Sequence, residues 1–75
     1  MVNVNKLKAK IVERNMTIEE FANKIGKNKA TVCRKINGNG DNFTIKEVDS
    51  MIKALVLSSP YEITSIFFYR EGLYQ

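Results

Sequence analysis

Seventy-five residues with a net charge of +4, 44% apolar content, one cysteine and no histidine make one small domain over residues 1–75, near the size at which a single core is marginal unaided. A lone Cys33 excludes an intramolecular disulfide, and without His no Cys/His metal site is expected, so nothing points to an oxidising compartment and no cofactor is implied. The longest apolar runs, Ala54 to Leu57 and Ile66 to Tyr69, are four residues each, far short of a membrane span, and no signal-peptide region opens the chain, so a cytoplasmic protein is expected.

Val4, Leu7 and Ile11 recur at helical spacing, which predicts an amphipathic first helix over residues 4–14 capped by Asn3 or Asn5. Lys6, Lys8, Lys10 and Arg14 take its remaining surface, where they read as solvated cations. Beyond the link Asn15-Met16, the apolar residues Phe21, Ala22, Ile25, Val32 and Ile36 form two short stripes interrupted at Gly26. Helix, tight turn, helix is the pattern. Thr17 and Glu20 form a capping box for the first of the pair, and Gly26 can take the left-handed conformation that stops it. Asn28 can cap the second helix, and Gly38 can end it after Asn37. Each is about two turns long, too short to be stable without packing.

Asn37 to Asn42 is a chain-reversing loop without strand flanks. A second capping box, Thr44 and Glu47, opens a helix whose inward residues are expected to be Ile45, Val48, Ile52 and Leu55, with Met51 beside them, ending near Val56. Ser59, Pro60 and Glu62 then give a cap, a first-turn proline and an acidic third residue, launching a fifth helix through Ile63, Ile66 and Phe67. The tail, residues 69–75, is left unassigned. An all-α, five-helix fold is predicted.

Charge is divided unevenly along the chain. Residues 1–40 hold nine Lys/Arg and three Glu, whereas residues 41–75 hold three Lys/Arg and five Asp/Glu. Between Lys24 and Lys35 lie five cations (Lys24, Lys27, Lys29, Arg34, Lys35) and no acid, an arrangement that favours a polyanionic partner.

The small Ala22 at the helix crossing, Gly26 in the turn, inward Val32 and Ile36 and the closing Asn37-Gly38 resemble the helix-turn-helix of lambda-repressor-like transcriptional regulators of the Cro and Xre type. The likeness is strongest over residues 17–38 and extends, through the surrounding helix pattern, to roughly residues 4–68. It implies a compact five-helix DNA-binding domain with its helix-turn-helix at residues 17–36. One departure is Ile18, which stands where many members carry Gln.

With Val32 inward and 100° per residue, Ala30 and Arg34 point away from the core, flanked by Lys27, Thr31, Cys33 and Asn37. If the helix over residues 28–36 enters a major groove, this stripe meets base edges. The resemblance assigns base reading chiefly to Lys29, Ala30 and Arg34, with Thr31 and Cys33 beside them. Arg34 is the leading candidate, because its planar fork can donate twice to a guanine. Lys27, Asn28, Lys35, Asn37, Phe43 and Thr44 are the expected phosphate contacts.

The resemblance further implies a palindromic operator bound by a homodimer, and the aromatic surplus at Phe68, Tyr69 and Tyr74 supplies a surface for it. A repressor of phage or mobile-element type follows. The competing reading is a protein-interaction module, an antirepressor or antitoxin-like regulator, using the apolar C-terminal face. An enzyme is not expected: no nucleophile–base pair, phosphate-binding Gly-rich loop after a strand, or paired carboxylates are in evidence.

Overall fold

Each helix starts at a side chain that can take up an amide otherwise left without a partner. Asn3 accepts from the Lys6 amide to open α1 (Val4–Glu13), and Asn28 accepts from the Thr31 amide to open α3 (Lys29–Asn37). Complete capping boxes at Thr17 with Glu20 and Thr44 with Glu47 open α2 (Ile18–Lys24) and α4 (Ile45–Ala54). Ser59, followed by Pro60 in the first turn, opens α5 (Pro60–Phe67). This computed structural model describes residues 2–38 and 43–68, and those residues contain five α-helices and no strand.

Three of the helices end by one device. After α1, α2 and α4 the chain turns through a single left-handed residue: Asn15 (φ 59°), Gly26 (φ 75°) and Val56 (φ 54°). The amide of that residue and the amide after it fold back on the last turn. Gly26 N donates to Asn23 O at 3.2 Å and Lys27 N to Ala22 O at 2.9 Å. Val56 N donates to Lys53 O and Leu57 N to Ile52 O, both at 3.1 Å, in the same paired pattern, the Schellman motif. It stops α4 at Ala54, two residues before the expected end.

The core gathers one stripe from every helix: Leu7 and Ile11, Phe21 and Ala22, Val32 and Ile36, Met51, and Ile66 with Phe67. Val2, Leu55 and Leu57 close its edges. Burying a side chain such as Phe21 contributes about 1.5–3 kcal/mol, so these residues, not the short helices themselves, hold the fold. Helix α2 packs closely on α3, and α1 on α5. The second pairing is tied by Asn3 N donating to Ile66 O at 2.7 Å.

Two expectations are corrected. Ile45 is 87% exposed, while Met51 and Leu55 are fully buried with Val48 and Ile52 half-buried beside them. Since Thr44 is the cap, Ile45 is the first helical residue, and its six-residue offset from Met51 turns it about 120° away from the buried line. Lys10 is not a surface cation either. Only 9% exposed, it lies on the Leu7–Ile11 side of α1 and pairs with Glu13 at 2.8 Å and with Glu62 of α5. Those two carboxylates hold its ammonium, through their hydrogen bonds, above the ordinary lysine value.

Candidate nucleic-acid interface

Helix α3 is amphipathic in the sense the sequence demands: Val32 and Ile36 are buried against α2 and the core, and Lys29, Ala30, Arg34 and Asn37 are exposed. Thr31 and Cys33 are half-buried at the flanks, able to touch a ligand only along its edge. Ala30 and Arg34 thus share the outer face of α3, and Lys29 projects from the side of its first turn. Among the described residues, neither Lys29 nor Arg34 has a carboxylate within ion-pairing distance.

The residues expected at phosphates are arranged differently. Glu47, in the first turn of α4, lies in their midst: Lys35 Nζ donates to its Oε1 at 2.8 Å and to its Oε2 at 2.6 Å. Lys27 Nζ lies 3.7 Å from the same Oε2, and the Thr44 amide donates to Oε1 at 2.8 Å. The Lys35 ammonium also stands 5.8 Å from the Phe43 ring centroid, and Phe43 packs half-buried against the core. Burial raises the Glu47 carboxyl, but the hydrogen bonds from Lys35 and the Thr44 amide, with the charge of Lys35, outweigh it and hold the group below the ordinary glutamate value.

Asn28 is exposed, with its Oδ1 committed to the Thr31 amide at 2.8 Å, which leaves its side-chain NH2 as the group that can reach outward. Asn37 is exposed at the last turn. Lys24 faces elsewhere, lining a shallow open depression with Ser50, Lys53, Ala54 and Val56 at the end of α4. The five cations that run without an acid in the sequence therefore separate in space: Arg34 on the outer face of α3, Lys29 at the side of its first turn, Lys27 and Lys35 around Glu47, and Lys24 beside α4.

Arg14, though exposed, donates from Nε to the Leu55 carbonyl oxygen. Phe68 is exposed just after α5, as is Tyr61 in its first turn; Tyr69 and Tyr74 lie outside the described residues. Among the described residues no group of three His, Cys, Asp or Glu is placed to hold a metal ion, and no helix is long and apolar enough to cross a membrane.

Sequence reasoning treated Glu47 as a cap and missed its role as a counter-ion. The signal was present: Glu47 sits four residues before Met51 and eight before Leu55, on the line of α4 that is buried. No protein-family model, curated protein or solved structure matches the chain.

Proposed function

We propose that the chain is a sequence-specific double-stranded DNA-binding protein with a lambda-repressor-like helix-turn-helix made by α2 and α3, acting as a transcriptional repressor of phage or mobile-element type. The observation that carries this reading is the exposure of Ala30 and Arg34 on the face of α3 opposite buried Val32 and Ile36, with Lys29 exposed at the start of the same helix. A helix braced in that manner can enter a major groove with those three side chains at base edges. Arg34 donates a bidentate pair to guanine O6 and N7, Lys29 adds a second donor at the helix start, and Ala30 packs on a thymine methyl. Asn28, Asn37 and the exposed Lys27 lie around this face as candidates for the phosphates beside it.

One subunit spans few base pairs, so the operator is a palindrome read by two copies, with half-sites about one helical turn, roughly 10 base pairs, apart. Exposed Phe68 supports an interface at the C-terminal end of the domain. Selection of bound sequences from random duplex DNA tests the proposal: an enriched palindrome is expected, and an unenriched pool would overturn sequence-specific binding.

A second reading is favoured by one observation. Tyr61 in the first turn of α5 and Phe68 just beyond its last are both exposed. Exposed aromatic residues of this kind suit a protein partner, and the domain would then be an antirepressor or antitoxin-like module. Purification with and without nuclease discriminates the two, since a stoichiometric protein partner without DNA belongs only to the second.

A further inference from the structure

We propose that Glu47 is the internal counter-ion of the DNA interface, which withdraws Lys35 from the polyanion and so sets how many phosphates the domain neutralises. The proposal rests on the DNA-binding reading and deepens it. Three groups converge on this one carboxylate: the Lys35 ammonium donates to both oxygens, the Thr44 amide donates to Oε1, and the Lys27 ammonium lies 3.7 Å from Oε2. That is the coordination a backbone phosphate would ask of the same residues, supplied here from within the chain.

Burial decides which ligand wins. The Glu47 and Lys35 side chains are 9% and 19% exposed, so a phosphate reaching Lys35 must first strand a nearly buried carboxylate. Lys27, 43% exposed and farther from the carboxylate, can swing outward without that cost. Lys35 is consequently a structural cation joining α3 to α4, and Lys29, Arg34 and Lys27 carry the electrostatic part of binding. Glu47 is a positioning residue. Its negative charge also opposes a phosphate at the start of α4, which keeps the duplex on the α3 face.

Salt dependence measures this directly, because each phosphate neutralised on a duplex adds about 0.9 to the slope of log affinity against log salt. Binding of a fluorescein-labelled mixed-sequence duplex is followed by anisotropy across a salt series for the parent chain, Lys29→Gln, Lys35→Gln and Glu47→Gln. Thermal unfolding of each is recorded alongside. Lys29→Gln should reduce the slope by about 0.9, and Lys35→Gln should leave it unchanged. Glu47→Gln keeps an oxygen for the Thr44 amide while freeing the ammoniums, and should steepen the slope by about 0.9 or more.

A slope that falls in Lys35→Gln as far as in Lys29→Gln would overturn the proposal, as would an unchanged slope in a folded Glu47→Gln. Should Glu47→Gln fail to fold, Lys35→Gln decides alone. A parent chain that binds no duplex at low salt overturns the DNA-binding reading itself, a result distinct from either slope outcome, and the proposal falls with it.

Discussion

Arg14 Nε donates to the Leu55 carbonyl oxygen at 2.8 Å, joining the end of α1 to the end of α4 across 41 residues of chain. Arg14 Nη2 reaches the neighbouring Val56 carbonyl at 3.4 Å. Carbonyls at a helix C-terminus lack intrahelical partners and carry the negative end of the helix dipole, so a guanidinium there satisfies both. Arg14→Ala should cost about 1.5–3 kcal/mol, the range for a hydrogen bond to a charged group, measured as a lower urea midpoint with an unchanged slope. An unaltered midpoint would remove Arg14 from the fold's supports.

Val56 and Gly26 make a matched test of backbone strain. Both sit at the left-handed position of a Schellman motif, yet Val56 is β-branched, and such a residue pays about 1–3 kcal/mol for that conformation. Val56 is exposed, so little packing is lost with its side chain. Val56→Gly should therefore stabilise the domain by about 1 kcal/mol, after subtracting the greater freedom glycine gives the unfolded chain. At Gly26 a new Cβ would meet nothing within 4 Å, so Gly26→Ala isolates the dihedral cost and should destabilise by about 1 kcal/mol. Thermal melts of the two variants should move in opposite directions.

The acid limb of stability belongs in part to Glu47. Its folded-state carboxyl lies below the ordinary value of 4.5, so the unfolded chain binds its proton more readily and stability rises with pH across that window. The contribution is complete above about 4.5 and disappears as pH falls through the lowered folded value. Glu13, held down by its hydrogen bond from Lys10, acts with the same sign. Lys10 acts at the other end: raised above 10.5, it stabilises fully below that value and loses the contribution as pH rises through the folded one. Urea midpoints measured from neutral pH down to about pH 3 should fall in the parent chain and fall less steeply in Glu47→Gln. That variant starts lower at neutral pH by on the order of 1–2 kcal/mol, since it leaves Lys35 without its partner. Parallel curves for the two chains would exclude Glu47 as a source of the acid sensitivity.

Local signals carried most of the architecture because they are short-range. The cap residues Thr17, Asn28, Thr44 and Ser59, the stop at Gly26 and the inward pair Val32 and Ile36 all depend on neighbours within one turn, which a sequence displays. The end of α4 was hidden for a physical reason: the left-handed stop is a valine, and nothing in a valine announces that conformation. Lys10, Arg14 and Lys35 each have a partner that the sequence does not display. Each owes its place to a partner far along the chain, Glu62, Leu55 or Glu47, and unpaired charge was the natural reading without the fold. For Lys35 the angular projection held a warning, since at three residues from Val32 it lies only about 60° from the buried direction.

Arg34 offers the sharpest test of the candidate face, because charge and fork geometry can be separated there. Arg34→Ala should weaken specific binding by roughly 1–3 kcal/mol and relax the preference at one base pair in each half-site. Arg34→Lys keeps the positive charge but loses the rigid bidentate donor, so it should retain the salt slope of the parent while losing most of that base preference. Lys24→Gln is the contrasting variant: beside Ser50 and Lys53, away from the outer face of α3, it should leave the selected sequence unchanged. Sequence selection on all three, with salt titration of each, gives the answer. A base preference that survives intact in Arg34→Lys and Arg34→Ala would assign Arg34 to phosphate or solvent and shift base reading to Lys29 and Ala30.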